Sequence, residues 1–338
     1  MFASRTGLMA LGVLSGLVLT SPSTADSYIL ATATTGGTYY PVGVALATLT
    51  KIKLEPEGGP SLSAISSAGS AENIKMLREG QVGFAILQGI YGAWARDGSG
   101  GLSDEGPQAY LRAVTALWPN VEHWVVRKEF ARTGTAADFD ELRGKGLSIG
   151  ARNSGTEGSG RALLANLGYS PKMDFKLVYQ GYEQSADGMQ NRILSAANLA
   201  AGPPVPAVSR LFATMKDKVR LLSFTDEQMI RANTPRILWT RYVIPAGTYP
   251  GQTKPVRTLG QTNFLAVHEN VSEADVYKIV SSLYANLPFI KSVHKATADM
   301  SLEVALAGLP VPLHPGALRF YKEAGLDVAT ELLPPEYP

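Results

Sequence analysis

Four glycine-rich turns, each followed by residues that suit the start of a helix, contain the groups in this sequence that could do chemistry. They lie at 35–41, 68–73, 153–157 and 202–207. A helix begins with unpaired backbone N–H groups and a partial positive charge, so its N-terminus favours an anion or a carboxylate. Several such helix starts that meet in one crevice would bind a small acidic molecule without any catalytic residue. The four turns therefore indicate a binding protein.

The first turn supplies candidate ligand-binding residues of two kinds. Gly36 and Gly37 suit a backbone that bends sharply or approaches a ligand closely. Thr38 follows them, and Tyr39 and Tyr40 then offer apolar faces with polar tips. Because the side chains of adjacent residues diverge, we expect one tyrosine to face the crevice and the other to pack. The sequence does not assign them.

Three more candidates follow along the first half of the chain. Ser70 and Asn73 stand where a helix should begin, and either helix capping or ligand contact would explain them. Gln88 ends an apolar strand-like run, and strand ends line the crevice of an open α/β sheet. We take all three as candidate binding residues.

The third turn fits a capping box. In that motif Ser154 would accept a hydrogen bond from the Glu157 amide, while the Glu157 side chain reaches back to the amide of Ser154. A purely structural role explains this pair. The functional alternative, which is compatible with it, is that Gly155 and Thr156 present amides and a hydroxyl to a ligand.

Three further candidates lie next to the third turn and in the fourth. Arg152 could donate two parallel hydrogen bonds to a carboxylate, or it could be a solvated surface residue. Gly202 and Pro203 open the fourth turn and complete the set of candidate ligand-binding residues.

Signals for catalysis are weak. Residues 146–150 match the G-x-S-x-G pattern, but that motif needs a helix directly after its serine, and Ser148 lies inside a predicted strand. The four histidines show no metal-ligand spacing, and no dinucleotide or P-loop glycine pattern is present. We therefore expect no enzyme, no cofactor and no metal, and an exported hydrolase using Ser148 is the weakest alternative.

The composition and the N-terminus indicate an exported protein. Arg5 is the only charge before Asp26, an apolar core spans 8–19, and small residues lead to a cleavage site after Ala25. A signal peptide at 1–25 is predicted, with an uncleaved anchor as the alternative. A net charge of +2 in 338 residues indicates neither nucleic-acid nor anionic-membrane binding, and the absence of cysteine excludes disulfides.

The first half of the chain alternates strands and helices. Strands are predicted at 28–32, 62–66 and 82–87, with helices at 41–49 and 70–77. This β-α-β-α-β pattern favours a parallel sheet that binds ligand at the carboxyl ends of its strands.

The alternation of strands and helices begins again near residue 128, as expected for a second domain. The C-terminal part differs, with an extended run at 257–267, a helix at 272–287 and smaller helices at 301–306 and 315–325, and it shows no third core. The simplest arrangement returns the chain to complete the first domain. We predict lobe I from 26–125 plus 258–338 and lobe II from 126–257.

The ordered set of motifs resembles the solute-binding proteins of the TAXI branch of TRAP (tripartite ATP-independent periplasmic) transporters. The resemblance covers about 27–325, and the matching segments are 36–41 with Gly43, 69–73 with Gly80, Gln88, 142–145, 154–157 and 202–203. It implies an α/β periplasmic-binding fold of type II, in which each of two lobes is a mixed sheet flanked by helices. The lobes would close over one small organic anion and deliver it to a membrane permease.

The sequence also departs from that family in ways that bear on the ligand. Arg152 and Asn153 replace a common Pro-Gly, Gly89-Ile90 replaces an Asp, and 191–196 lacks a Gly-x-x-Asp-Ala element. Family ligands include glutamate, glutamine and dicarboxylates such as 2-oxoglutarate. An added Arg152 would favour a more negative ligand than a zwitterionic amino acid.

These features together predict a monomeric periplasmic receptor that does not span the membrane. Its ligand would be a small carboxylate (a dicarboxylate, a 2-oxo acid or a glutamate-like acid), and its partner a TRAP permease. A periplasmic sensor subunit for a membrane histidine kinase is the alternative, because the same binder would serve either partner.

Overall fold

The computed structural model describes residues 1–2 and 26–337, so the predicted signal peptide lies almost entirely outside the described residues. Two β-sheets with flanking helices make up the fold. The strands are β1 Ser27–Ala31, β2 Ser61–Ile65, β3 Phe84–Gln88, β4 Leu111–Val121, β5 Trp124–Arg127, β6 Gly146–Ser148, β7 Lys176–Val178, β8 Ala196–Asn198, β9 Val219–Leu221, β10 Thr240–Ile244 and β11 Val256–His268. The helices are α1 Tyr39–Lys53, α2 Ser70–Arg78, α3 Gly89–Asp97, α4 Gly155–Asn166, α5 Pro171–Asp174, α6 Tyr182–Gln190, α7 Pro206–Met215, α8 Asp226–Ala232, α9 Glu273–Ala285, α10 Leu287–Val293 and α11 Pro315–Glu323.

The first sheet has the order β10-β11-β3-β1-β2, and β4 also pairs with β11. β1 runs parallel to β2 and β3, whereas β11 runs antiparallel to β3, β4 and β10. Every residue of β3 is buried, as expected for a central strand covered on both faces. The predicted β-α-β-α-β unit is confirmed, and the returning strand β11 makes the sheet mixed rather than purely parallel.

The second sheet has the order β7-β6-β8-β5-β9. β6 is parallel to β7 and β8, and β5 is antiparallel to β8 and β9. Both sheets are therefore mixed, and the predicted α/β fold of two mixed sheets with flanking helices is confirmed.

The chain changes sheets twice. It leaves the first sheet between Val121 and Trp124, and it returns between Leu221 and Thr240. β10 lies within the predicted 126–257 segment but pairs with β11 in the first sheet. The lobe boundaries at 125 and 257 stay a prediction.

Several helices differ from the expectation, which contains no helix at α3, α5 or α8 and one helix in place of α9 and α10. A single helix was predicted at 272–287, but α9 ends before Asn286 and α10 begins at Leu287, with Pro288 in its first turn. Proline suits the first turn of a helix and disrupts its interior, so it separates the two.

Helix α3 was not predicted at all, because it contains two glycines in nine residues. A β-carbon on Gly92 would lie 2.2 Å from Pro310 Cγ and 2.9 Å from Phe264 Cε1. Close packing of that glycine against β11 and the C-terminal segment accounts for a helix that local propensity does not favour. Across the described residues, we find no helix with the length and apolar character needed to traverse a bilayer.

Candidate ligand-binding cleft

A small cavity of about 30 Å³ lies between the helices of the two sheets. It is bounded by the starts of α1, α2 and α4, by Tyr182 on α6 and by the ends of β3 and β8, in keeping with the binding crevice expected at the carboxyl ends of strands. The lining residues are Ala33, Thr34, Gly37, Thr38, Tyr39, Ala68, Gly69, Ser70, Gln88, Ala151, Ser154, Gly155, Thr156, Tyr182, Ala200 and Ala201.

The first turn places Gly37, Thr38 and Tyr39 in the lining, and Tyr40 outside it. The Tyr39 hydroxyl donates to Asn263 Oδ1 at 2.5 Å, and its ring meets that of Trp118 edge-on. Tyr40 is half-buried. The tertiary structure thus assigns the cavity-facing tyrosine that the sequence left open.

Ser70 and Gln88 both line the cavity and contact each other. Ser70 Oγ accepts a hydrogen bond from the backbone N–H of Gln88 at 3.0 Å, so it connects the start of α2 to the end of β3. The residue at the N-cap position of α2 is Gly69, with φ of +126°. Ser70 is therefore the first helical residue and not the cap.

Asn73 is fully buried behind the cavity wall and does not line it. Its Nδ2 donates to the carbonyl oxygens of Thr32 at 2.8 Å and Ile86 at 3.0 Å. It thereby bridges the ends of β1 and β3, which holds two strands of the cavity floor together.

At the third turn, Ser154 caps α4 as predicted. Its Oγ accepts from the Glu157 amide at 3.0 Å. The second half of the predicted capping box is wrong, because Glu157 Oε2 accepts from the Asn153 amide at 2.7 Å instead of from Ser154. The Ser154 amide already donates to the Ala151 carbonyl, so the carboxylate takes the preceding N–H.

Arg152 is exposed and does not line the cavity. Its guanidinium lies over the ring of Tyr179, 4.0 Å from the centroid. Arg161 lies over the same ring and also pairs with Glu157 at 3.2 Å. Both arginine side chains therefore contact residues outside the cavity lining.

Gly202 and Pro203 also lie outside the lining, but Gly202 contacts the first turn. Its carbonyl accepts from Thr38 Oγ1 at 2.8 Å. A β-carbon on Gly202 would lie 2.3 Å from Trp118 Cδ1, so only glycine fits there. The fourth turn thus holds the two halves of the molecule together instead of opening its helix onto the cavity.

Direct contacts join the starts of α2 and α4. The Glu72 amide donates to the Asn153 carbonyl at 3.0 Å. A β-carbon on Gly155 would lie 2.6 Å from Gln88 Cδ and 2.8 Å from Ser70 Oγ. The two helices meet closely across the cleft, so this is a closed arrangement.

Tyr182 was missed by the sequence reasoning. Its hydroxyl donates to the Ala200 carbonyl at 2.6 Å and accepts from Thr156 Oγ1 at 2.5 Å. Gly181 and Tyr182 follow β7 and begin α6, which repeats the glycine-turn pattern seen elsewhere. The alanines of the lining carry no comparable signal in the sequence.

The cavity wall is electrically neutral. Its lining residues, all of them described, include no charged side chain. Burial raises the pKa of the Tyr39 and Tyr182 hydroxyls, so both stay protonated at neutral pH. Positive potential in the cavity therefore comes from helix starts, not from side chains.

Ser148 is buried, and its Oγ shares a hydrogen bond with Ser185 Oγ at 2.7 Å rather than with a histidine. β6 ends at Ser148 and α4 begins only at Gly155, which differs from the strand-serine-helix geometry of a nucleophile elbow. Within 1–2 and 26–337, no group of three His, Asp or Glu side chains is placed to hold a metal ion.

Comparison with known proteins gives a family and a fold. A family model described as "NMT1-like family" matches residues 30–325. The periplasmic binding protein BugD has a TM-score of 0.54 at 13% identity, with 91% of this chain and 99% of that chain covered. That likeness identifies the fold as that of periplasmic binding proteins.

Two further structures match at lower TM-scores. The alkanesulfonate-binding protein SsuA from Xanthomonas axonopodis pv. citri, bound to MOPS, gives 0.47 at 14% identity, covering 88% of this chain and 91% of that chain. An amino acid ABC transporter substrate-binding protein from Streptococcus pneumoniae, bound to L-arginine, gives 0.47 at 12% identity, covering 81% and 94%.

Proposed function

The chain belongs to the NMT1-like family, and from that membership and the geometry of the cleft we propose that it is a periplasmic substrate-binding receptor. It captures a small carboxylate between two lobes and delivers it to a membrane transporter. BugD, whose fold it shares, is itself named a periplasmic binding protein.

One observation carries this proposal: the starts of three helices from both sheets border a single cavity. Gly37 to Tyr39 precede or begin α1, Ser70 begins α2, and Gly155 begins α4. The first N–H groups of a helix lack partners within it, and each helix start has a partial positive charge. An anion between them would receive hydrogen bonds from both lobes at once.

Ligand binding would act by shifting an open–closed equilibrium. A ligand that bridges both lobes binds the closed form more tightly than the open form, so it raises the closed population. The transporter would then recognise the closed receptor. No chemical step on the ligand is required.

The remaining details of the proposal rest on the sequence. The lobes are those predicted at 26–125 plus 258–338 and at 126–257, and residues 1–25 act as the export signal. The partner is a TRAP-type permease, as the motif resemblance implies, and the receptor acts as a monomer. A gene for a multi-spanning permease next to this one would support the transporter over a sensor kinase.

Thermal unfolding of the exported protein tests the receptor proposal. The protein is first unfolded and refolded to remove bound ligand, and it is then heated with small carboxylates, with neutral sugars as the control. A ligand at 100 times its dissociation constant adds about 2.7 kcal/mol, which raises the midpoint by several degrees. A sugar-selective shift, or no shift with any carboxylate, would overturn the proposal.

A further inference from the structure

We propose that the ligand is a small 2-hydroxy monocarboxylate, and not a dicarboxylate or an amino acid. This inference rests on the receptor function proposed above and narrows its ligand class. Three independent properties of the cavity carry it: its charge, its size and one unsatisfied buried carboxamide.

The charge of the wall suits one carboxylate. Three helix starts each provide roughly half a positive charge, whereas the lining side chains are all neutral. A second carboxylate in this cavity would be buried without an ion-pair partner, which costs several kcal/mol. Arg152 and Arg161, the cations nearest in sequence to the lining residues of α4, are stacked on Tyr179.

An ammonium group on the ligand would also be buried without an ion-pair partner. A zwitterionic amino acid would place a positive charge near helix starts that are themselves positive, and no lining residue is acidic. Burial raises the pKa of Glu122, the buried carboxyl behind Tyr182, so that group is a poor counter-ion as well.

The size and surface of the cavity suit a short ligand. Its volume is about 30 Å³ in this closed arrangement. Five alanines contribute methyl groups to the wall, namely Ala33, Ala68, Ala151, Ala200 and Ala201. A cavity of this volume holds roughly two water molecules, so the lobes must part slightly to admit a body of two or three carbons against these methyl groups. A longer chain would hold the lobes further apart.

The side chain of Gln88 indicates a hydroxyl group on the ligand. It is 2% exposed and lines the cavity, yet its Oε1 has no hydrogen-bond partner in the described part of the chain. Leaving a buried acceptor unpaired destabilises the folded protein. A hydroxyl on the carbon next to the carboxylate would donate to Oε1 while the carboxylate remains at the helix starts.

Calorimetric titration of the stripped protein with L-lactate, propionate, L-malate and L-alanine tests this inference. Lactate should bind about tenfold more tightly than propionate, the effect of one hydrogen bond of roughly 1.4 kcal/mol. Malate and alanine should bind more weakly than propionate. If malate or alanine binds more tightly than propionate, the inference is wrong and the proposal of a carboxylate receptor still stands. If no carboxylate binds, the receptor proposal itself is wrong.

The variant Gln88→Met separates the role of the carboxamide from general damage. Methionine has a similar length and no polar hydrogen-bonding group at that position, so the lactate-to-propionate affinity ratio should fall from about ten to near one. The matched control is Gln252→Met, a buried glutamine outside the cavity lining, which should keep the ratio. A ratio unchanged in Gln88→Met would contradict the assignment of Gln88, and the wild-type ratio tests the ligand class even if the variant does not fold.

Discussion

His123 lies fully buried in the segment that joins the two sheets. Its Nδ1 donates to the Val121 carbonyl at 2.8 Å, and its Nε2 accepts from the Tyr249 hydroxyl at 2.7 Å. The Val205 amide donates to that same hydroxyl at 3.0 Å, which leaves the hydroxyl proton for the imidazole. The network thus fits a neutral ring, and burial lowers the pKa of His123 to about 4.

Acid should destabilise the protein through this residue. The unfolded chain binds a proton at its ordinary pKa near 6.5, whereas the folded chain does so only near 4, so the free energy of unfolding falls as the pH falls between these values. The loss from His123 should reach about 3 kcal/mol near pH 4. Denaturant unfolding at several pH values measures the total effect.

Titration of the His123 ring by NMR isolates its contribution from that of the carboxylates. We expect its resonances to stay at the neutral position from pH 7 down to about pH 5. A midpoint near 6.5 in the folded protein would show that the ring is not held in the neutral form.

At the scale of the element, the start of α4 has a structural role and, in the proposed function, a binding role as well. Ser154 Oγ accepts from the Glu157 amide and so satisfies the third N–H of the helix. The first two amides, those of Gly155 and Thr156, belong to residues that line the cavity. The cap holds this turn in the geometry in which those two amides would meet an anion.

Removing this cap should affect both stability and binding. Ser154→Ala should lower the free energy of unfolding by about 1 kcal/mol and weaken carboxylate binding by several fold. The control is Ser272→Ala at the start of α9, where Ser272 Oγ accepts from the Asp275 amide at 3.1 Å. It should cost similar stability and leave affinity unchanged, because Ser272 is not in the cavity lining. If both variants bind carboxylate with equal affinity, the start of α4 is not part of the binding site.

At the scale of the whole molecule, the proposed closure would depend on direct contact between helices of the two sheets. Gly155 on α4 lies against Ser70 and Gln88. The Ala207 amide also donates to the Gly36 carbonyl across the cleft, at 3.2 Å. At Gly155 these contacts leave no room for an additional side-chain carbon.

The variant Gly155→Ala should prevent full closure. Its β-carbon would lie 2.6 Å from Gln88 Cδ, whereas the β-carbon in Gly160→Ala, on the same helix, would lie no closer than 3.5 Å to Asn198 Nδ2. With saturating carboxylate, small-angle scattering should show compaction of the wild type and of Gly160→Ala only. The affinity of Gly155→Ala should fall about tenfold or more, a cost of at least roughly 1.4 kcal/mol. Normal compaction of Gly155→Ala would show that closure tolerates the methyl group.

Local patterns in the sequence determined the class of the fold and the chemistry of the turns. The strands and helices between 27 and 86 follow from the pattern of apolar runs and from the glycines that end them. Both signals depend on residues that are close together in the sequence. The cap of α4 by Ser154 is equally local, because donor and acceptor are three residues apart. The motif resemblance added the periplasmic-binding fold, which the likeness to BugD confirms.

Tertiary structure alone decided which candidate side chains meet at the cavity. Asn73 lies on the cavity-bordering helix α2 but points to β1 and β3, and Arg152 lies two residues before Ser154 but stacks on Tyr179. The direction of a side chain depends on how each helix rotates against its sheet, and that rotation is set by packing with residues far away in the chain. The antiparallel insertion of β11 beside β3 is likewise non-local, since residues more than 170 positions apart must pair. Sequence patterns report neighbours along the chain, whereas the cavity is built from contacts between distant segments.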